Sequence, residues 1–437
     1  MMDVSGGQRH GRQIGRFFLS NVVILGLTSL FMDMSSEMVY PLIPLYLAAF
    51  GSGPAILGII EGIAESLACF LRVISGYIGD RTHREKGLAF TGYGLSVIYK
   101  AALIIATGWP MVLVARSLDR VGKGIRTAPR DALVAKAGGD KKLGRAFGLH
   151  KMLDMLGQAI GILLAFFIVG AGMGFNSAFL WSMIPAVLAV LVLLLVKTYK
   201  PSVEKEPSAG RDMTQEPSAG QSYQKDRPLD SQKDRPSLSV TLSGGRIRTL
   251  FAENKRFILF LLVLFGFSVG NFSAAFLLLR ASDSGLSAAA VILMYFLSSV
   301  AASALAYPFG RLSDRVGRSG LLVPGYFLYG VVYLGFALLG GYAAAMPLLF
   351  IAYGVYQALV SGAERAFVAE QARAEFRGTV LGVYGLCQGG GLLIASILAG
   401  ALWTNFGAGA PFLFGALVGF AAAAGIRVLL RKSHDNK

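Results

Sequence analysis

Charged residues are scarce in this chain. They make up 15% of its 437 residues, and 54% of the residues are hydrophobic, whereas soluble domains carry roughly 25% charged residues. The only two cysteines, Cys69 and Cys387, both lie in apolar stretches, which argues against a disulfide framework. The composition therefore excludes a small disulfide-stabilised domain and is not that of an ordinary soluble enzyme.

Motifs for metal or nucleotide chemistry are also missing. The stretch VGKGIRT lacks the G-x-x-x-x-G-K-[ST] spacing of a phosphate-binding loop. The histidines are not spaced like a metal-ligand set, and we expect all of them at the cytoplasmic surface. They are His10, His83, His150 and His434. We therefore expect no enzyme activity, no metal and no cofactor, and no cleavable signal peptide is visible in the polar, basic N-terminus.

The chain has instead a series of long apolar runs. A helix needs about 20 apolar residues to span a bilayer, and we count twelve such runs. They start near Phe17, Ala55, Leu88, Met111, Gly144, Asn176, Lys255, Leu286, Leu321, Met346, Gly378 and Ala410. A spanning segment must satisfy its backbone groups internally, which favours helices. We predict an all-α polytopic membrane protein with twelve transmembrane helices.

Basic residues occupy alternate loops between these runs. They precede the first predicted helix, follow the second, fourth, eighth and tenth, and end the chain. The intervening loops GSGP, TGWP, AGMGFN, GGYAAA and NFGAGA contain no lysine or arginine, and Arg280 is the exception to the pattern. Positive loops stay in the cytoplasm, so we predict a multi-pass protein of the inner (plasma) membrane with both termini cytoplasmic. The net charge of +16 then reflects topology, and no nucleic-acid partner is expected.

The two halves of the chain repeat each other. GYIGDR at Gly76 and GRLSDR at Gly310 lie 234 positions apart, and a longer match from Gly144 to Gly378 has the same spacing. A polar, low-complexity stretch that repeats EPSAG and QKDRP separates them. The predicted domains are a cytoplasmic tail (1–16), a six-helix bundle (17–197), a disordered cytoplasmic linker (198–250), a second six-helix bundle (251–430) and a cytoplasmic tail (431–437). A binding site is expected between the two bundles.

At these repeats the sequence resembles the major facilitator superfamily (MFS) of secondary transporters. GYIGDRTHREKG and GRLSDRVGRSG are similar to that family's loop motif, and ARSLDRVGKG is similar to its fourth-helix motif, with Arg116 in the arginine position. Asp119-Arg120 replaces the usual Gln-Gly pair, and the fifth helix has Gly-Gln where drug antiporters have Gly-Pro. DMSSEMVYPLIPLYL and DRVGKGIRTAPRDAL resemble a poorly characterised bacterial branch. The resemblance implies the MFS fold and alternating access, without a substrate.

The resemblance also implies a gate at the repeated loops. Asp80 would cap a helix of the opposite half through the positive end of its dipole, and Arg84 would reach Asp131 at the end of the fourth helix. The predicted gating residues of both repeats are Gly76, Asp80, Arg81, Arg84, Asp131, Gly310, Asp314, Arg315 and Arg318. The alternative for the basic residues is that they only set the topology.

The stretch ARSLDRVGKGIRTAPRDAL places many charges in the fourth predicted helix. At about 100° per residue its charges fall within an arc of about 140°, which indicates a membrane helix with one charged face lining an aqueous cavity. Charges at mid-bilayer need partners or water. Acids on the first, second and fifth helices, such as Glu61 and Glu65, can supply partners, so ion pairing is the expected role of most of these residues.

Asp33, Glu37 and Asp154 are the predicted proton-coupling residues. Asp33 and Glu37 share one face of the first helix. A carboxyl group in a low dielectric beside movable cations can gain and lose a proton near neutral pH. The alternatives are a permanent salt bridge from the first helix to Arg116 or Lys123, and a purely structural partnership between Asp154 and the fourth helix.

The predicted substrate-binding residues combine cations of the fourth helix with neutral residues of the second half. A guanidinium can hold a carboxylate or phosphate through two parallel hydrogen bonds, and amides and tyrosines can add neutral contacts. These residues are Arg116, Lys123, Arg126, Arg130, Asn271, Tyr356 and Gln388. The alternative is that the arginines pair with Asp131, Asp154 or Glu364.

The prediction is a secondary active transporter that moves a small organic solute by alternating access, coupled to protons or another ion, with export favoured over import. One alternative is an importer or uniporter of an organic anion held by the arginines of the fourth helix. A second is a membrane sensor or scaffold that signals through the linker without transporting. We expect a monomer in the lipid bilayer that works with a small-molecule substrate and a coupling ion.

Overall fold

A computed structural model describes residues 5–82, 84–138, 143–196, 255–316, 318–370 and 377–434, and the regular elements in these ranges are helices. The first half contains α1 (Ser5–Val39), α2 (Ile43–Ala49), α3 (Pro54–Thr82), α4 (Glu85–Ile104), α5 (Trp109–Gly138), α6 (Leu143–Gly170) and α7 (Gly174–Leu194). The second half contains α8 (Lys255–Gly270), α9 (Ala275–Asp283), α10 (Ala288–Val316), α11 (Arg318–Leu339), α12 (Met346–Glu370), α13 (Arg377–Phe406) and α14 (Ala410–His434). The predicted linker, 198–250, lies outside the described residues.

Twelve membrane spans follow from these helices. Eleven described stretches are long and apolar enough to cross a bilayer; α1 with α2 forms one of them, and α8 with α9 forms another. Pro41 and Pro44 occupy the first turns after α1, where proline ends one helix and is tolerated at the start of the next. The charged helix α5 packs along α3 and α4 and is the twelfth. The predicted twelve-helix fold is confirmed.

The two halves have the same internal packing, as the sequence repeat predicted. In the first half α1 packs against α6 and α7, and in the second α8 packs against α13 and α14. In the same way α3 packs on α5 as α10 does on α12, and α4 on α7 as α11 does on α14. The duplication is therefore structural as well as sequential.

The halves meet through two equivalent helix pairs, α3 with α13 and α6 with α10. We call the end of the bundle where α1 begins and α14 ends the terminal end, and the other the opposite end. Near the opposite end, Gly58 faces the backbone of Ser396, and Gly400 faces that of Pro54. A Cβ atom at either glycine would collide with this backbone, so the absence of a side chain lets α3 and α13 close together there.

Two details bear on the predicted topology. α1 begins at Ser5 and so extends through much of the predicted N-terminal tail. Arg280, the basic exception at the opposite end, is buried and donates to the Phe336 carbonyl at 3.3 Å and to Asp283 at 2.9 Å.

Candidate functional site

A cavity of about 360 Å³ lies between the two halves. The first half contributes Lys151 and Met155 of α6, and most of the wall comes from the second half. Its polar and aromatic lining there consists of Phe267, Ser268, Asn271, Tyr353, Tyr356, Gln357, Glu364 and Gln388. Lys151 lies near the start of α6 with its side chain 63% exposed, so the cavity opens toward the terminal end.

The second-half wall is organised around the buried carboxylate of Glu364. Tyr326 donates to one of its oxygens at 2.6 Å, and Tyr384 and Gln388 donate to the other at 2.8 and 3.2 Å. Three uncharged side chains of the second half therefore donate to this carboxylate. Gln388 also donates to the Tyr384 hydroxyl at 2.6 Å, which fixes the orientation of this predicted binding residue.

Aromatic rings form the rest of this wall. Phe267 stacks on Tyr326 with ring centres 4.2 Å apart and meets Tyr329 edge-on at 4.9 Å. Tyr356 lies 4.9 Å from Tyr329 and 5.8 Å from Tyr353. The predicted contact residue Asn271 donates to the Tyr356 hydroxyl over a long 3.5 Å. The wall thus combines flat apolar faces with amide and hydroxyl groups.

The charged face of α5 in the first half is packed inside the protein. Arg116 is 2% exposed and holds Glu61 through two hydrogen bonds, of 2.8 and 3.3 Å, with a third of 3.3 Å to Asp119. Arg120 pairs with Glu65 at 2.9 Å. The structure contains the ion pairing that the balance of charges predicted. Arg116 is engaged with carboxylates of its own half and does not line the cavity.

The remaining predicted cations of α5 have different environments. Arg126 is buried, donates to Ser96 and lies over the Tyr93 ring at 5.0 Å. Arg130 donates to Asp131 at 3.0 Å and to Ser29 at 3.2 Å. The expectation that this face lines an aqueous cavity is wrong for the buried Arg116 and Arg126, because acids and hydroxyls of neighbouring helices satisfy them.

Lys123 differs from the arginines around it. Its side chain is half-buried, and within the described ranges it forms no ion pair. Glu65, Asp33 and Glu37 are acids close enough to act on its charge. Lys123 therefore stays a predicted solute contact.

Two carboxyl groups meet beside the cavity. The carboxyl groups of Asp33 of α1 and Asp154 of α6 lie close enough to interact. Asp154 Oδ2 is 3.0 Å from Lys151 Nζ, and its buried Oδ1 is 3.9 Å from Arg130. No hydrogen-bond donor of the described residues reaches Oδ1. Two carboxyl groups this close repel when both are ionised and are stabilised by sharing a proton.

Glu37 connects the two halves. It accepts a hydrogen bond from Gln158 at 3.3 Å and another from Tyr295 of α10 at 3.2 Å. A second contact of the same kind joins the halves, where Ser273, next to α9, donates to the buried Glu61 at 2.9 Å. Both contacts join carboxylates of the first half to hydroxyls of the second, on the opposite-end side of the cavity.

The predicted gate is described in part. Gly76 faces Ala128 of α5, and Arg81 lies over the Tyr77 ring at 5.0 Å. Arg84 is exposed just before α4. Where an Arg84–Asp131 contact was expected, Asp131 pairs with Arg130 at 3.0 Å. The side chains of Asp80, Asp314, Arg315 and Arg318 and the surroundings of Gly310 lie outside what the structure describes.

Three features of the site were missed at the sequence level. Lys151 was not selected, although its position three residues before Asp154 puts both on one helix face. Tyr326 and Tyr384, the hydroxyl donors to Glu364, left no polar pattern in their apolar helices. The surface position expected for His150 is wrong, because it is 4% exposed with Nε2 2.9 Å from the Ser29 hydroxyl.

The repeat spacing relates the cavity wall to the charged residues of the first half. Eight wall residues of the second half lie 234 positions after an ionisable residue of the first. These pairs are Phe267 and Asp33, Asn271 and Glu37, Ala306 and Arg72, Tyr353 and Asp119, Gln357 and Lys123, Val360 and Arg126, Glu364 and Arg130, and Gln388 and Asp154. Equivalent places in one fold thus hold ionic groups in the first half and mostly rings and amides in the second.

Comparison with known proteins gives a consistent result. A family model described as Major Facilitator Superfamily matches residues 25–391 and 258–437. An uncharacterized MFS-type transporter of Methanocaldococcus jannaschii is 33% identical over 408 residues, which are 91% of this chain and 92% of that protein.

Solved structures agree with the fold. A mutant of the nucleoside transporter NupG superposes with a TM-score of 0.72 at 14% identity, covering 94% of this chain and 99% of that one. A mutant of the peptide transporter POT in complex with sulfate gives 0.70 at 15% identity, with 95% and 94% covered. At such identities these two show the fold alone. With the family match and the archaeal relative, the chain belongs to the Major Facilitator Superfamily and is a membrane transporter of that type.

Proposed function

We propose that this chain is a secondary transporter that moves a small organic solute in a cycle coupled to protons. The observation that carries the proposal is the Asp33–Asp154 carboxyl pair, which is joined to the cavity by the 3.0 Å contact between Asp154 and Lys151. A proton shared by this pair and a solute in the cavity would both act on Lys151, so each would sense the other. Such coupling needs no cofactor.

The two halves would divide the work. The first half supplies the proton-binding carboxyls, and the second supplies rings and amides for the solute. Rocking of the halves would open the opposite end only after the contacts of Glu37 with Tyr295 and of Glu61 with Ser273 have broken. Protonation of Glu37 would weaken the first of these, because a neutral carboxyl accepts a weaker hydrogen bond than a carboxylate.

Export in exchange for protons is the direction we propose. The basic loops favour a cytoplasmic position for the terminal end, in a protein of the inner membrane. The cavity opens at that end, so an exported solute would load into the state described here. One chain contains both halves and the whole cavity, so we propose that the monomer is the transporting unit and that residues 198–250 only tether its halves.

Uptake of an organic anion together with protons is the second candidate. The observation that favours it is the cationic side chain at the mouth of the cavity: Lys151 is largely exposed and contacts only one carboxylate of the described residues. An anion at Lys151 would compete with Asp154, and the released Asp154 would take up a proton. This candidate needs none of the four α5 arginines, all of which are engaged inside their own half.

Transport by the purified protein in liposomes tests the proposal. A pH dye trapped inside reports proton movement when solutes from a panel of aromatic and aliphatic acids, amines and amides are added outside. We expect one class to move protons in the parent. Asp154→Asn should lose proton movement yet keep solute exchange at equal pH, and Asp283→Asn, at the opposite end and paired with Arg280, should match the parent.

The same assay separates the directions. Solute and proton moving oppositely supports export by exchange, and both moving inward supports uptake. Proton movement undiminished in both Asp33→Asn and Asp154→Asn would refute the proposed coupling. If the protein moves no solute, but shortening residues 198–250 changes its signalling, it would instead be a sensor.

A further inference from the structure

We infer that the cavity takes a flat aromatic carboxylate, with its ring among the tyrosines and phenylalanine of the second half and its carboxylate at Lys151. The inference rests on the proposed function in one respect, since it takes this cavity as the solute site, and it holds for either direction of transport. It names the chemical class of the solute, which the family does not determine.

The size of the cavity sets the first limit. A volume of about 360 Å³ is near the lower end of ordinary small-molecule pockets. At the packing density of protein interiors it holds on the order of fifteen non-hydrogen atoms. A single or fused ring with a short acidic side chain fits this limit.

The aromatic wall favours a ring over an aliphatic chain. Phe267, Tyr353 and Tyr356 line the cavity and belong to one cluster of contacting rings, with neighbouring centres 4.2 to 5.8 Å apart. Aromatic pairs are most stable offset-stacked or edge-to-face at such separations. A flat solute ring would extend the cluster, and the amides of Asn271 and Gln357 could bond at its edge.

The available charge at the cavity mouth is positive. Glu364 is already surrounded by Tyr326, Tyr384 and Gln388, which donate to both of its oxygens. Lys151 by contrast is 63% exposed and gives one of its three ammonium donors to Asp154. The ammonium donors of Lys151 that Asp154 does not use favour a solute with an anionic end.

Four matched probes test this inference by calorimetric titration of the full-length protein in detergent. They are phenylacetate, cyclohexylacetate, phenylacetamide and benzylammonium, which separate the ring from the charge. We expect phenylacetate to bind about tenfold more tightly than phenylacetamide and benzylammonium, because a charge-assisted hydrogen bond is lost in both. We expect about a threefold to tenfold advantage over cyclohexylacetate from ring geometry.

Two variants locate the contacts. Lys151→Gln should weaken phenylacetate about tenfold and leave phenylacetamide unchanged, which also shows that the variant is folded. Lys136→Gln is the matched control, since Lys136 is 59% exposed and paired with Glu85 away from the cavity. Tyr353→Leu should remove the preference for phenylacetate over cyclohexylacetate.

The outcomes separate this inference from the proposed function. Equal binding of all four probes, binding of benzylammonium alone, or no binding while another solute drives proton movement would overturn the aromatic carboxylate and leave the coupling intact. Binding of phenylacetate that depends on Lys151, without any proton movement in liposomes, would support the inference and refute the coupling.

Discussion

The two halves of this transporter share one fold and differ in chemistry at matching positions. Arg130 in the first half bonds Asp131 and Ser29, whereas Glu364, 234 positions later, accepts from two tyrosines and a glutamine. Asp154 contacts a second carboxyl and a lysine, whereas its counterpart Gln388 is a neutral donor. Duplication has thus kept the helix packing and left the polar interior free to change.

The inward-facing side chains of the two halves therefore have different partners. In the first half the charges satisfy each other between helices, and the ion pair of Glu61 and Arg116 has only Tyr295 and Phe350 at the matching places of the second half. In the second half the same inward surface is exposed to a cavity. A wall of rings and amides can contact a neutral or singly charged solute without breaking an ion pair.

The largest expected effect comes from the buried ion pair. Glu61→Gln would leave Arg116 buried with less compensation, and breaking such a pair by removing one partner lowers the free energy of unfolding by about 3–5 kcal/mol. The matched second-half variant Tyr295→Phe removes one neutral hydrogen-bond donor, for about 1 kcal/mol. Denaturant unfolding in detergent measures both, and similar losses from the two variants would show that the first half does not depend on its ion pairs.

The next effect separates the roles of two matching positions. Asp33→Asn should reduce pH-driven accumulation at least about tenfold, with solute exchange at equal pH retained, because the shared proton is lost. Phe267→Leu should do the reverse, weakening solute binding while proton coupling persists. Liposome transport with and without a pH gradient measures both, and a loss of coupling in Phe267→Leu would contradict the division between the halves.

A smaller effect is expected where the halves touch. Glu37→Gln and Tyr295→Phe should each shift the balance between closed and open states of the opposite end, by about fivefold for one hydrogen bond of about 1 kcal/mol. Because both remove the same contact, the double variant should be no worse than the more severe single one. Spin labels on α2 and α9 would report the balance, and additive effects would mean that the two side chains act separately.

The smallest effect is expected at Tyr356. Its hydroxyl accepts from Asn271 at 3.5 Å, near the limit of a hydrogen bond. Tyr356→Phe keeps the ring and should change solute affinity by no more than about twofold. Tyr356→Leu removes the ring and should weaken binding more, as titration of a bound solute would show; equal effects would place the contact in the hydroxyl.

The sequence predicted the fold well and the site unevenly. Hydropathy and basic loops are long-range patterns, so twelve helices and the duplication could be predicted without coordinates. The sequence indicated that the charges of α5 belong to a membrane helix. It could not indicate whether they face a cavity or neighbouring helices, because that depends on which side chains pack against α5. Glu61 could be named as a partner, yet only packing shows that it holds Arg116 through two bonds.

The second-half wall was harder to predict for a physical reason. Tyr326 and Tyr384 look like ordinary apolar-helix residues in sequence, and their hydroxyls gain a role only where three helices converge on Glu364. The repeat spacing did place Glu364 opposite Arg130 and Gln388 opposite Asp154. The sequence could therefore match positions between the halves, but it could not predict the cavity that the second-half residues line.

The most direct test is the infrared band of protonated carboxylic acids in the purified protein at neutral pH. A proton shared by Asp33 and Asp154 predicts a band that is lost in Asp33→Asn, because the remaining Asp154 lies 3.0 Å from Lys151 and ionises, and that shifts in frequency in Asp154→Asn. Glu364→Gln in the other half should leave the band in place. A band that survives both first-half variants and disappears in Glu364→Gln would put the proton in the second half and contradict the division of roles between the halves.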